Sequence, residues 1–163
     1  MVTSLFRRES REEKREDKAL DATERRNILV AVAGNSMDED LVRMACNLCL
    51  KGKMGRGRVI AINVVEVPRT LPLDAVVDNS ANDRVLDTAI AVAQGMNVDI
   101  EAEVIQAREA GPAIVDEAND RDCRLIMLGL VPRSRFGQFD LGKTVPYVME
   151  HAHGRVWVMR DEM

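Results

Sequence analysis

The chain has 163 residues and a formal net charge of −4, and its content of 46% hydrophobic and 31% charged residues is typical of one globular domain with a full core. This balance excludes a general attraction to nucleic acid or to an anionic membrane, and an aromatic content of 3% argues against a platform for stacking bases. No apolar run reaches the length of a membrane span and the N-terminus is charged, so we expect a cytoplasmic protein without membrane insertion.

Residues 1–26 form a charged N-terminal tail or helix with almost nothing to bury. If 7–26 is helical, its basic side chains share one face and its acidic side chains share the opposite face. Like charges then lie four residues apart, which weakens an isolated helix. Two interpretations stay open: a solvated tail, or a helix that docks by charge on a partner or on a second copy of the chain.

From residue 27 onward, apolar runs alternate with amphipathic segments. The runs predict strands that are buried on both faces, and apolar residues at spacings of three and four predict helices. Pro112 suits the first turn of its helix, and Gly95 is a candidate C-cap. In chain order the sequence predicts strand 28–33, helix 38–50, strand 59–67, helix 83–95, strand 98–106 nearer an edge, helix 111–120, strand 124–128, helix 145–153 and strand 155–159.

This alternation predicts a parallel sheet with helices on both faces. In such sheets the ligand crevice lies beyond the carboxyl ends of the strands, where the strand order reverses. The turns after the first and fourth strands, which contain Gly34 and Gly129, would therefore face each other beside the end of the second strand.

The loop from Gly129 to Thr144, GLVPRSRFGQFDLGKT, joins a strand to a helix and is rich in glycine and basic residues. Such a loop favours an anion, because free N–H groups and the helix dipole converge on it. Residues 137–144 also match the pattern G-x-x-x-x-G-K-[ST]. The first glycine of a P-loop directly follows the first strand, and an acidic residue at the end of a later strand holds magnesium. Here Gly137 lies well beyond the fourth predicted strand and no later apolar strand ends in an acidic residue, so a P-loop is rejected. Lys143 places a cation at the start of a helix, where the helix dipole is unfavourable to it. We therefore expect either a bound anion beside Lys143 or full exposure of its ammonium to solvent.

No catalytic or metal-binding set emerges from the sequence. Cys46 and Cys49 form a C-x-x-C pair inside a helix, but zinc needs about four ligands and no second pair exists. His151 and His153 fall on different sides of a helix. We expect neither a metal nor an enzymatic activity.

With this organisation, residues 27–159 resemble the universal stress protein family. The resemblance rests on the strand–helix order, the NILVAVAG opening, the VIAINVVEVP second strand with its long following loop, and the loop that begins at Gly129. It implies an α/β domain over 27–163 of the adenine nucleotide alpha hydrolase-like type, with five parallel strands in the order 3-2-1-4-5 and helices on both faces. It also implies a homodimer built through the last strand, with Val156, Trp157 and Val158 at the interface.

The family's nucleotide-binding members carry G-x-x-G, nine further residues, and then G followed by Ser or Thr. Gly129 and Gly142 stand at the first and last glycines of this motif. Pro132 replaces the second glycine and removes a backbone donor. Lys143 replaces the Ser or Thr, with Thr144 one residue later. The resemblance therefore implies a degenerate phosphate loop.

Two further positions carry over from the family. Ala33 stands where binding members have an aspartate, and Val64 stands where the backbone reads adenine. Taken together, the expected nucleotide-binding residues are Ala33, Gly34, Asn35, Val64, Gly129, Pro132, Arg133, Gly142, Lys143, Thr144 and Val145.

Two hypotheses of function follow. In the first, the chain is a non-enzymatic, dimeric regulatory protein of the stress response that binds ATP or AMP weakly or in an altered pose. In the second, it is a nucleotide-free dimerisation or interaction module. The segments VVEVPRTLPLDA and LGKTVPYVMEHA are similar to the cytoplasmic universal-stress-type domains of amino-acid permeases, so a transporter or another protein is the alternative partner.

Overall fold

The computed structural model describes residues 26–50, 57–76, 80–131, 133–135 and 138–161. Residues 1–25 of the charged N-terminal segment and Pro132 therefore lie outside the described residues. The helices are α1 (Asp38–Leu50), α2 (Ser80–Gly95), α3 (Ala110–Asp120) and α4 (Thr144–His151), and the strands are β1 (Asn27–Ala31), β2 (Val59–Glu66), β3 (Ile100–Ala107), β4 (Cys123–Leu130), β5 (Arg133–Arg135), β6 (Gln138–Asp140) and β7 (Arg155–Arg160).

Five of the described strands form one parallel sheet in the order β3-β2-β1-β4-β7. This confirms the predicted order 3-2-1-4-5, with β7 as the fifth strand and β3 at an edge. β1 is central, so that Val30 pairs with Ala61 of β2 on one side and with Met127 of β4 on the other. The order reverses between β1 and β4, which places the predicted crevice at the ends of these two strands.

The sheet separates two apolar layers, because alternate residues of a strand point to opposite faces. Ile28 and Val30 pack with residues of α1 and α2, whereas Leu29 packs with residues of α3 and α4. These three of the five side chains of β1 are fully buried. The continuous apolar runs of the sequence thus reflect strands that are covered on both faces.

Several predicted element ends shift by one to three residues. β1 ends at Ala31 rather than at residue 33, and α2 begins at Ser80 rather than at residue 83. α2 does end at Gly95, but the left-handed residue after it is Asn97, with φ of 55°. Asparagine tolerates this conformation, so the left-handed residue that ends the helix is Asn97 and not the predicted Gly95.

A short hairpin lies within the loop between β4 and α4, where the sequence predicts no strand. β5 and β6 pair antiparallel, with Arg133 opposite Asp140. Strands of three residues are too short to show an alternating pattern. The hairpin returns the chain from the end of β4 to Gly142 at the start of α4. None of the helices within the described ranges combines the length and the apolar character needed to cross a membrane.

Candidate functional site

A cleft of about 380 Å³ opens at the carboxyl ends of β1, β2 and β4. It lies where the strand order reverses, as expected for an open parallel sheet. Eight of the candidate residues line it: Ala33, Asn35, Val64, Gly129, Gly142, Lys143, Thr144 and Val145. Gly34 lines a separate depression of about 280 Å³, together with Arg84 of α2. For Arg133 the structure describes the backbone, which pairs with Asp140 in the hairpin.

The turn after β1 is closed by the carboxylate of Asp38. The backbone N–H groups of Ala33, Gly34 and Asn35 donate to Asp38 Oδ2 at 3.0, 2.6 and 3.1 Å. Gly34 has φ of 79°, which favours glycine, and Asp38 is only 7% exposed. The N–H groups that could hold a ligand anion are therefore already satisfied by a carboxylate of the chain itself.

The last residues of β4 pack directly on the turn after β1, because Gly129 lies within β4 and not in the turn that the sequence predicts. A Cβ atom on Gly129 would lie 3.2 Å from Asn35 Nδ2 and 3.3 Å from Met37 Cε. Asn35 is held in turn by its Oδ1, which accepts the N–H of Met37 at 2.9 Å. Glycine at position 129 thus permits the close approach of the end of β4 and the turn after β1, which form one wall of the cleft.

The opposite wall is the start of α4. Gly142 has φ of 68°, and its N–H donates to Asp140 Oδ1 at 2.9 Å. Lys143 occupies the N-cap position without a side-chain capping bond and is exposed, and Val145 of the first turn is buried. First-turn N–H groups have no partner within a helix, so this end attracts anions. Asp140 and Lys143 both line this end of the cleft.

The floor of the cleft carries an asparagine at the end of β2. Asn63 is 5% exposed, and its Nδ2 donates to the carbonyl oxygen of Val32 at 2.8 Å. Its Oδ1 is buried and accepts no hydrogen bond from the residues that the structure describes. Val64 follows it, and Asn82 of α2 lies on the same cleft.

The sequence matches the Universal stress protein family over residues 24–160. This chain belongs to the universal stress protein family. Among proteins of curated function, none matches the sequence.

Solved structures of other universal stress proteins resemble this one. One from Archaeoglobus fulgidus is 21% identical, with a TM-score of 0.64 over 82% of this chain and 97% of its own. A universal stress protein from Archaeoglobus fulgidus in complex with dAMP is 19% identical, with a TM-score of 0.62 over 82% of this chain and 96% of its own. An Arabidopsis thaliana protein with AMP bound is 11% identical, with a TM-score of 0.60 over 84% and 92%. At sequence identities of 11–21%, these similarities show a shared fold.

Four polar residues of this universal stress protein are absent from the sequence-based set. Asn63, Asn82 and Asp140 line the cleft, and Asp38 closes the turn after β1. Asn63 had a visible signal, because it is a polar residue near the end of the apolar run VIAINVV. The roles of the two aspartates depend on turns whose shape the sequence does not display. Within the described part of the chain, no group of three or more His, Cys, Asp or Glu side chains is arranged to hold a metal.

Proposed function

We propose that this domain binds an adenine nucleotide in the cleft between the ends of β1, β2 and β4, and that it acts as a regulator rather than as an enzyme. The observation that carries the proposal is the convergence of Gly129, Gly142 and Lys143 on a single cleft of about 380 Å³. A volume of this size suits a small ligand. Relatives of the same fold were solved with dAMP and with AMP, which supports the choice of nucleotide.

The part of the proposed site that would bind the adenine base is the backbone of Val64. The β1–β2 ladder ends where the N–H of Val32 donates to the carbonyl oxygen of Ile62 at 2.9 Å. In a continued parallel ladder the N–H of Val64 would donate to the carbonyl of Val32. That carbonyl instead accepts Asn63 Nδ2. The N–H and C=O of one strand residue point to the same side, so both groups of Val64 face the cleft, and together they complement the adenine edge.

The phosphate end explains why we propose weak binding or an altered pose. The N–H of Gly142 is held by Asp140, and the N–H groups after β1 are held by Asp38. A phosphate must therefore replace a carboxylate or lie to one side of it, near Lys143. Either arrangement lowers affinity relative to a loop with free donors.

Isothermal titration and thermal shift with AMP and ATP test the proposal. Saturable heat and a concentration-dependent rise of Tm are expected, since a ligand that binds the folded state stabilises it. No response at millimolar AMP or ATP would overturn the proposal.

A pair of variants on α3 locates the binding. Ala110 lines the cleft and Ala113 does not, although both are half-buried on the same helix. Ala110→Leu should weaken AMP binding and Ala113→Leu should not. Equal effects of the two substitutions would place the ligand elsewhere.

A nucleotide-free dimerisation module is the second candidate, and it rests on the edge strand β7. Trp157 and Val158 are 42% and 37% exposed there, and Val156 packs partly on the core. An unpaired strand edge with apolar side chains favours pairing with another strand, and we propose a second copy of the chain as the partner.

Sedimentation of Val158→Lys should then show monomers where the wild type is dimeric. Leu71→Lys, at an exposed apolar residue outside β7, serves as the control. Wild-type monomers at about 50 μM, a concentration at which a micromolar contact is filled, would refute the dimer. A dimeric Val158→Lys variant would refute this interface.

A further inference from the structure

A groove of about 510 Å³ lies between the edge strand β3 and helix α3, on the face of the sheet opposite α1 and α2. We propose that this groove is the docking site of the charged segment 7–18 of the same chain, which lies along α3 as a helix with its basic face toward the groove. The docking uses a surface other than the nucleotide cleft and does not depend on nucleotide binding.

The groove exists because α3 leaves part of the edge strand uncovered. Ile105 of β3 packs partly on the layer of α3, and Glu101 and Glu103 precede it by four and two residues, so all three point to this face. The two glutamate side chains are 43% and 56% exposed. A strand face that a helix covers carries apolar side chains, as β1 does. Among the residues that the structure describes, none closes this face of β3.

One stripe of α3 forms the wall of the groove. The lining residues of this helix and its N-cap recur at spacings of three and four, namely Glu109, Pro112, Ala113, Asp116 and Glu117. Ala113, at the centre of the stripe, is small enough to let a second helix approach closely. Carboxylates at both ends of the stripe are positioned to meet basic side chains of such a helix.

The lower part of the groove holds more acidic than basic side chains. The guanidinium of Arg121 lies 2.8 Å from Glu117 Oε2 and 3.5 Å from Glu101 Oε2, and it also binds Glu103. Arg58 binds Glu101 as well. Two cations therefore serve three carboxylates here.

The upper part of the groove leaves two carboxylates without a cation. Glu109 and Asp116 are exposed, and neither forms an ion pair with a residue that the structure describes. Arg108 also lines the groove, but its guanidinium donates to the carbonyl oxygens of Val67 and Pro68 at 3.1 and 2.6 Å. The groove thus favours a basic occupant.

The segment that precedes β1 has the required charge, position and length. Asn27 Nδ2 donates to the carbonyl oxygen of Arg121 at 2.7 Å, so the chain enters β1 beside the C-terminal end of α3. A helix over 7–25 would be about 28 Å long, whereas the 11 residues of α3 span about 16 Å. Its basic face, which consists of Arg7, Arg11, Lys14, Arg15 and Lys18, can therefore reach both ends of the groove.

Docking also accounts for the charge pattern of the segment. Like charges four residues apart weaken an isolated helix, and carboxylates opposite the basic face relieve that repulsion. The acidic face is then turned to solvent. The helix is therefore stable on the groove and unstable away from it.

Hydrogen exchange of the full chain, measured by mass spectrometry, tests the docking. Amides of residues 7–18 should exchange about tenfold more slowly than in an unstructured chain, because a docked helix opens only part of the time. The protection should decrease in about 0.5 M salt, which screens exposed ion pairs. Exchange of 7–18 at the unstructured rate would overturn the proposal.

Charge reversal locates the contact. Glu109→Lys combined with Asp116→Lys should abolish the protection of 7–18, and Glu109 makes no side-chain capping bond that this change would remove. The matched control combines Asp83→Lys with Asp87→Lys, which makes the same charge change at exposed residues of α2, on the opposite face of the sheet. Protection that survives the groove variant, or that the control loses equally, would refute this site.

A second reversal tests direct contact between the two sets of charges. Lys14→Glu combined with Lys18→Glu should also abolish the protection. Adding the two lysine substitutions at Glu109 and Asp116 should restore it, because opposite charges then face each other again. Failure of this fourfold variant to regain protection would contradict the contact.

Carbodiimide cross-linking of the unmodified chain identifies the occupant without any substitution. The reagent joins an amine to a carboxylate as an amide and takes up the water that is lost, so Lys14 or Lys18 should become linked to Glu109 or Asp116. In an equal mixture of unlabelled and heavy-isotope-labelled protein, these links should stay within one isotope. Mixed-isotope links would place a second copy's segment in the groove, and the absence of links to α3 would leave the segment elsewhere; either result overturns the proposal.

Discussion

Replacing Asp140 with asparagine should tighten the binding of AMP. Asp140 Oδ1 accepts the N–H of Gly142 at 2.9 Å, at the end of the cleft where a phosphate would lie. Asparagine keeps an acceptor oxygen for this N–H and loses the negative charge. The substitution therefore preserves the turn and removes an electrostatic repulsion.

The magnitude follows from the geometry. A phosphate oxygen that shares the Gly142 N–H would lie about 4–5 Å from the carboxylate, since both oxygens would be at hydrogen-bond distance from one nitrogen. The repulsion between unit charges at that distance is about 1 kcal/mol in bulk water and about 4 kcal/mol at an effective dielectric constant of 20. Gly142 and Lys143 are exposed, so the lower part of this range applies. We expect a gain of about 1–2 kcal/mol, which is about 5- to 30-fold in affinity.

Titration calorimetry with AMP and with adenosine measures this effect. The gain should appear for AMP, shrink at high salt and be absent for adenosine, which carries no phosphate. Asp120→Asn is the matched control, because it changes the net charge equally at the C-terminal end of α3, away from the cleft. An unchanged or weaker affinity of Asp140→Asn for AMP would refute the reasoning, and so would an equal gain for adenosine.

Three further predictions concern binding and stability. Lys143→Ala should weaken AMP binding by about 1–3 kcal/mol in calorimetry, the range for hydrogen bonds to charged groups, and unchanged affinity would remove Lys143 from the site. Arg121 Nε donates to Glu117 Oε2 at 2.8 Å, and its guanidinium also binds Glu103. Arg121→Ala should therefore lower the free energy of unfolding in urea by about 1–2 kcal/mol. No loss of stability would show that these ion pairs contribute nothing. Burial raises the pKa of the Cys123 thiol from 9.0 to about 12, so the folded state holds this proton where the unfolded state releases it. Stability should therefore fall as the pH rises from about 9 toward 12, and urea unfolding of Cys123→Ala should show a smaller fall.

The sequence alone predicts the fold of this protein well, because the signals for its elements are local. The run ILVAVA at 28–33 is apolar throughout, since both faces of β1 are covered, and the helix over 38–50 shows its apolar stripe directly. The regular alternation of such segments indicates a parallel sheet, and the order of its strands followed from the family resemblance. The glycines at 129 and 142 mark two segments that line the cleft, the end of β4 and the turn before α4.

The polar details of the site depend on tertiary structure. Asp38 reads in the sequence as an ordinary acidic residue at the start of a helix, yet it binds three N–H groups of the turn after β1. Asp140 reads as one acid in a basic loop, yet it closes a turn by accepting the N–H of Gly142, two residues further along the chain. Asn63 reads as one polar residue in an apolar run, yet its Nδ2 donates to the carbonyl oxygen of Val32, which is free because β1 ends at Ala31. Hydrophobic periodicity records which face of an element is buried. The hydrogen bonds of Asp38 and Asp140 depend instead on the shape of short turns, and that of Asn63 depends on where the neighbouring strand ends, which is decided only when the sheet has formed.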